Sequence, residues 1–230
     1  MNALLALTGA VDFAARKHID QRRKGVRAEP YFNHLSEVAR LLAEATGGSD
    51  PELVIAGLLH DILEDTGTSR AELEAEFGPT VATLVAEVTD DKSLPSLERK
   101  RLQILHTPER SVRARLIKLA DKTSNLRGLI SSPPAGWSLD RRREYAEWAF
   151  AVVAGCRGLN RRLEDWFDEA YRDGVAQLGG AVPDGPCGDR DASPVMATAS
   201  PLTVSTVVTA GTAGTSPGAA TGTNRSPSRP

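Results

Sequence analysis

Apolar and polar positions alternate with a helical period almost from the start of the chain. Leu4, Leu7, Val11 and Ala14/Ala15 recur every three or four residues and run on into charged sequence. This predicts an amphipathic helix from about Asn2 to His18. A basic stretch, DQRRKGVRAEPYF, interrupts the pattern, and NHLSEVARLLAEATGG then predicts a second helix closed by paired glycines. SDPELVIAGLLHDILEDT predicts a third, opened by Ser and Asp ahead of Pro51. SRAELEAEFG follows as a short helix with Ser69 and Glu72 spaced as a capping box. Helical spacing continues through PTVATLVAEVTD, LPSLERKRLQIL and SVRARLIKLADKTSNLRGLI. Pro133, Pro134 and Gly136 break the chain before two last helices, SLDRRREYAEWAFAVVAGC and NRRLEDWFDEAYRDG. No stretch alternates as a strand would, and no internal repeat is present. The pattern predicts one all-α domain of about eight or nine helices.

The pattern stops near Gly179. Up to about Gly174 the chain is rich in Leu, Ala, Glu and Arg, which favour helix. Beyond Gly179 it is Gly, Pro, Ser, Thr and Ala with no Phe, Tyr or Trp. Such a composition buries too little surface to offset the entropy of ordering. The expected organisation is therefore a domain over residues 1–178 and a disordered tail over 179–230. The patch LTVSTVVT is the one part of the tail with β-forming residues.

Composition narrows the function. A net charge of −2 over 230 residues argues against a dedicated nucleic-acid binder. Two cysteines, Cys156 and Cys187, make no disulfide framework and suit a reducing, cytoplasmic setting. The apolar N-terminus lacks the basic flank of an export signal, and no run approaches the ~18–20 apolar residues of a membrane span.

The candidate chemistry lies where polar residues follow apolar runs. Leu53-Val54-Ile55-Ala56-Gly57-Leu58-Leu59 leads directly into His60, Asp61, Glu64 and Asp65. Carboxylates beside a hydrophobic interior require a cation, a hydrogen-bond network or a shifted pKa. His34 opens the second helix, and Asp121 follows RLIKLA in the seventh. Two imidazoles and two carboxylates from three helices suit a divalent first-row metal, and the lack of thiolates admits Mn²⁺, Fe²⁺ or Zn²⁺. On the third helix His60 and Glu64, and likewise Asp61 and Asp65, are four residues apart and stack on one face, a ligand layer and, one turn on, a carboxylate layer. His18 and His106 read as surface or capping residues.

HDILED, with YFNH upstream and LADKTSN downstream, resembles the HD superfamily of metal-dependent phosphohydrolases. AARKHIDQRRK…PYFNH, LLHDILEDT, FGPTVATLVAEVTDDKSLP, ERKR and KLADKTSNLR…GWS together resemble the stand-alone alarmone hydrolases of the RelA/SpoT group. The likeness runs from about Asp12 to Glu169. It implies an HD-domain helical bundle that removes the 3′-pyrophosphate from guanosine tetra- and pentaphosphate, usually with Mn²⁺. It also implies roles: His34, His60, Asp61 and Asp121 as metal ligands, and Glu64 and Asp65 as the groups that position and activate water. Arg23, Lys24 and Asn125 would contact the nucleotide, whose several negative charges suit a flexible basic cluster.

Three positions depart from that pattern. Leu35 follows His34 where the family commonly has Pro, Ser124 stands where close relatives often carry Tyr, and Ser96 where some carry Lys. The last two bear on substrate contacts. Alternative readings are the same catalyst on another phosphorylated nucleotide, such as the 2′-phosphate of NADPH, a catalytically silent nucleotide-binding module, or a helical nucleic-acid binder. The Glu64-Asp65 pair counts against a silent module, which needs no acid pair beside a water.

Overall fold

The computed structural model describes residues 2–179. The expectations for a disordered tail, for Cys187 and for the LTVSTVVT patch lie outside the described residues. Within them the structure is all-α: α1 (Ala3–Lys17), α2 (Phe32–Thr46), α3 (Pro51–Leu58), α4 (Ile62–Asp65), α5 (Arg70–Val88), α6 (Ser96–His106), α7 (Val112–Ser131), α8 (Leu139–Ala154) and α9 (Arg161–Gln177). A 3-10 turn at Thr107–Glu109 joins α6 to α7. Two isolated bridges, Arg22 to Pro30 and Gly25 to Pro134, are the only β-pairing among the described residues.

Helix ends follow the local sequence. Asn2 accepts from the amides of Leu4 and Leu5, Asp50 from Leu53, Ser111 from Ala114 and Asn160 from Leu163. Gly47 closes α2 at φ 59°, the left-handed cap that the paired glycines predict. Ser69 accepts from the Glu72 amide, but Glu72 does not complete a capping box: its carboxylate instead pairs with Lys17 at 2.8 Å. Within α5 the backbone breaks at Gly78 (φ 84°) ahead of Pro79, so the two short helices expected there are two halves of one kinked element.

One expectation fails. The third helix is not continuous to Thr66, because α3 ends at Leu58 and the chain turns through 59–61 before α4. His60 and Asp61 therefore sit in the break, although Asp61 still caps α4 and its carbonyl accepts from the Asp65 amide at 2.8 Å. The break turns both side chains toward α2 and α7.

α7 is the centre of the bundle and packs against α2, α3, α5, α8 and α9. Its middle is buried on all sides, polar residues included: Lys118, Asp121, Lys122, Thr123 and Ser124 are each under a tenth exposed. Its apolar residues (Leu116, Ile117, Leu119, Ala120, Leu126) join one core with Leu35, Leu41 and Leu42 of α2 and with the apolar run of α3. Truncating any of these leucines to Ala costs ~2–5 kcal/mol. α2 and α3 approach closely because residue 57 is glycine; a Cβ there would lie 2.2 Å from Leu42 Cδ1. That contact fixes the start of the turn carrying His60.

Candidate metal centre and active site

His34, His60 and Asp121 come from α2, the 59–61 turn and α7, and one ligand atom of each lies within 4.8 Å of the others. His34 Nε2 is 3.3 Å from Asp121 Oδ1, and His60 Nε2 is 3.7 Å from the same oxygen. Asp61 is outside that tight group but adjoins it, with Oδ2 3.0 Å from His60 Nε2 and 3.8 Å from His34 Nε2. The imidazole planes cross at 72° with centroids 5.2 Å apart.

Hydrogen bonds on the far side of each ring set its tautomer. His60 Nδ1 is 2.8 Å from the Gly57 carbonyl, which only accepts, so Nδ1 carries a proton and Nε2 is the atom turned toward the carboxylates. His34 Nδ1 is 2.8 Å from Ser124 Oγ, whose own proton goes to Glu37 Oε2 at 2.7 Å. Nδ1 of His34 therefore donates as well, and its Nε2 likewise turns toward Asp121. His60 Nε2 is buried without a hydrogen-bond partner. Both Nε2 atoms thus face two carboxylates across a buried space that calls for positive charge, from a proton on His60 or from a cation, and a divalent cation fits that donor set.

The titration behaviour shows the same demand for positive charge. Burial pushes His60 down, but Asp61 and Asp121 outweigh it and raise the imidazole to about 10. Burial lowers His34, helped by the His60 and Arg23 charges and opposed by Asp121. Asp61 and Asp121 are held below the usual carboxylate range: burial raises both, and His60, with Lys122 for Asp121, overcomes it. Tyr31, pushed up by burial and by Asp61, keeps its proton and donates it to Asp61 Oδ2 at 2.6 Å.

Beside this cluster opens a cavity of about 430 Å³ lined by Arg23, Lys24, Glu64, Asp65, Asn125 and Tyr145, among others. Glu64 is 3.6 Å from Arg99 and accepts from the Asp90 amide at 3.4 Å. Its carboxyl is raised by burial first and then by Asp61, Asp90 and Asp65. Asp65 accepts from Gln21 and pairs with Lys92. Asn125 donates to Asp121 Oδ1 at 2.5 Å and accepts from Arg23 at 3.1 Å, joining the basic loop to the metal cluster.

Every sequence-predicted site residue therefore lies at this one place, with three corrections. The basic loop is not a free flexible segment: Arg23 N bonds Glu29 O, Val26 N bonds Pro133 O and Ala135 N bonds Lys24 O. Arg23 lies along α7 over Gly128, where a Cβ would sit 2.6 Å from its Nη2. Ser124 faces away from the cavity and supports His34. His18, expected as a surface or capping residue, caps the C-terminal end of α1 but is buried, whereas His106 is exposed. Sequence reading missed Tyr31, Lys92 and Arg99 as parts of the site. Their signal lay in the segments PYFNH, DDK and ERKR, whose individual side chains have no helical spacing that would tie them to His60.

An HD domain family matches residues 10–155. Human guanosine-3′,5′-bis(diphosphate) 3′-pyrophosphohydrolase MESH1 is 54% identical over 166 residues, 72% of this chain and 93% of that protein. The Drosophila melanogaster protein of the same name is 48% identical over 162 residues, 70% of this chain and 90% of its own. A solved structure described as a metazoan ortholog of SpoT that hydrolyzes ppGpp superposes with a TM-score of 0.70 at 47% identity, covering 73% of this chain and 94% of that one. The chain belongs to the HD-domain family and is a close relative of its metazoan MESH1 branch.

Proposed function

We propose that this chain is a divalent-metal-dependent 3′-pyrophosphohydrolase of guanosine 3′,5′-bis(diphosphate) and its pentaphosphate counterpart, releasing pyrophosphate and GDP or GTP. The observation that carries the reading is the pair of buried Nε2 atoms facing Asp61 and Asp121, joined through Tyr31 and Asn125 to a cavity lined by an acid pair and a basic loop. His34, His60, Asp61 and Asp121 hold the ion, and Mn²⁺ is the ion to test first, since the donors are imidazole and carboxylate without thiolate. When bound, it supplies Lewis-acid charge that offsets the negative charge building on the reacting phosphoryl group.

The chain's own residues do the rest. Glu64, whose carboxyl burial and the neighbouring Asp61 raise above its ordinary value, takes the proton of the attacking water. Asp65, held by Gln21 and Lys92, orients that water. As the water oxygen bonds to phosphorus, the bond from phosphorus to the ribose 3′ oxygen breaks and that oxygen takes up a proton. Arg23 and Lys24 hold phosphate oxygens, and Asn125 ties Arg23 to Asp121, so substrate binding and the metal cluster share one rigid link. A cytosolic setting goes with this reading, as does the single-domain organisation over 1–178. The test is a Mn²⁺-supplemented assay of guanosine tetraphosphate beside NADPH, following pyrophosphate and orthophosphate. Pyrophosphate and GDP from the first substrate support the reading; turnover of NADPH alone, by loss of its 2′-phosphate, overturns it.

A further inference from the structure

A buried polar chain stands behind Asp65. His18, which reads from sequence as a surface or capping residue, caps α1 and is 3% exposed. Its ring stacks on Tyr31, centroids 5.5 Å apart and planes 25° from parallel. His18 Nδ1 lies 2.5 Å from Gln21 Oε1, and Gln21 Nε2 lies 2.8 Å from Asp65 Oδ2. The chemistry of the groups sets every proton in this chain. An ionised Asp65 only accepts, so the Gln21 amide turns its NH₂ toward it and its oxygen toward His18. That oxygen also only accepts, so His18 Nδ1 carries a hydrogen, and Nε2 is buried without a partner.

The backbone fixes the same residues. The His18 amide ends α1 on the Ala14 carbonyl at 3.0 Å, and the His18 carbonyl accepts from the Gln21 amide at 3.0 Å. The Gln21 carbonyl in turn accepts from Tyr31 N at 3.0 Å. Gln21 is thus held on both sides, at the root of the loop that carries Arg23 and Lys24. The other oxygen of Asp65 meets Lys92, whose side chain is 48% exposed and sits on a long flexible stem. An incoming phosphate competes for that ammonium. It does not compete in the same way for a neutral amide anchored to a buried imidazole.

We propose that His18 and Gln21 are positioning residues for the acid pair, holding Asp65 Oδ2 so that the carboxylate keeps one orientation toward the cavity when substrate phosphates draw Lys92 away. The inference rests on the reading of Asp65 as the residue that orients the attacking water. It also makes the end of α1 a common support for the acid and for the basic loop.

Two measurements on the full-length, Mn²⁺-loaded protein test it. In steady-state kinetics on guanosine tetraphosphate, Gln21→Leu and His18→Leu lose on the order of tenfold in kcat with KM within about twofold and metal content unchanged. His18→Asn, whose amide N–H takes the place of Nδ1–H, restores most of the turnover. Full turnover in Gln21→Leu, or equal losses in His18→Asn and His18→Leu, overturns the proposal. Imidazole ¹⁵N spectra need no substrate: His18 appears with a protonated Nδ1 and a bare Nε2, and its Nδ1 shift moves in Gln21→Leu. A bare Nδ1, or no change in the variant, overturns it as well. If the wild-type protein leaves guanosine tetraphosphate intact, the substrate reading fails by itself and the spectra decide the relay. If the His18 variants do not fold, Gln21→Leu and the spectra decide.

Discussion

Ser124 Oγ lies 2.8 Å from His34 Nδ1 and passes its own proton to Glu37, which is paired with Arg127 at 3.1 Å. The serine therefore acts on the candidate ligand His34 from behind and does not line the cavity. Glu37 and Arg127 complete the support of the His34 ring. Ser124→Ala leaves a buried N–H without an acceptor and frees the ring to turn. Metal affinity should fall ~10–100-fold while KM at saturating metal stays near wild type. Competition against a chelating dye checks the affinity; an unchanged value would remove Ser124 from the ligand support.

Metal and proton should compete at His60. In the metal-free protein the carboxylates of Asp61 and Asp121 overcome burial and keep its imidazole protonated up to about 10, well above its ordinary 6.5. A ligand must be deprotonated, so binding near pH 8 expels about one proton, and apparent affinity rises with pH across that range. Calorimetric titrations in two buffers of different ionisation heat measure the release. Heats that do not depend on the buffer would contradict it. Because the ion binds only the folded site, stripping it should also lower the melting temperature.

The acid pair and the basic loop should separate in kinetics. Glu64→Gln and Asp65→Asn keep shape but remove proton acceptors, so both retain metal and substrate affinity and lose kcat by at least ~10²-fold. Arg23→Ala leaves the acids intact and mainly raises KM. The pH profile adds a sign. Glu64 acts only when ionised, and burial with Asp61, Asp90 and Asp65 raises its pKa, so kcat falls on the acid side at a pH above the ordinary carboxyl value of 4.5. An Arg23→Ala enzyme with low kcat and unchanged KM would reverse these roles.

Helices with steady periodicity, α2 and α9 among them, were plain in the sequence, as were caps such as Asp50 and Gly47. Of the candidate ligands, His60, Asp61 and Asp121 were legible because they follow apolar runs, whereas His34 only opens a helix and was tied to them by the family resemblance. What the pattern hid was the break at 59–61. Leu58, Leu59 and Ile62 keep helical spacing across it, and the turn arises from tertiary demands: His60 Nδ1 is satisfied by Gly57 O, and α2 crowds Gly57. Supports from distant segments were hidden for a related reason. His18 stands 47 positions from Asp65, Ser124 90 from His34, and Lys92 27 from Asp65, so no local period connects them.

The described fold is closed at its C-terminal end by Arg143, which donates from Nε to the Leu178 carbonyl at 2.9 Å, while Leu178 joins the core. A stop after Gly179 preserves both contacts. The shortened protein should melt within about a degree of the full chain and keep its metal and turnover. Lost solubility or activity would mean that residues beyond 179 complete the domain or an interface.

Asp50 offers a stability test away from the site. It caps α3 through the Leu53 amide at 3.0 Å and takes a second bond from Arg113 Nε at 2.9 Å. Burial raises its carboxyl, but Arg113 and the Leu53 amide outweigh burial and leave it below its ordinary 3.8. A depressed carboxyl contributes stability that is present above the unfolded value and lost as pH falls through the folded one. Asp50→Ala removes both cap and ion pair and should cost about 1–2 kcal/mol at pH 7. Asp50→Asn keeps an acceptor for Leu53 and loses only the charge, so it should fall between Ala and wild type. Its deficit should shrink as pH drops below the ordinary value and vanish once wild-type Asp50 is protonated. Chemical denaturation of the three proteins from pH 7 down through that range reads this directly, and an Asn deficit that stays constant with pH would show that the Arg113 pair contributes nothing.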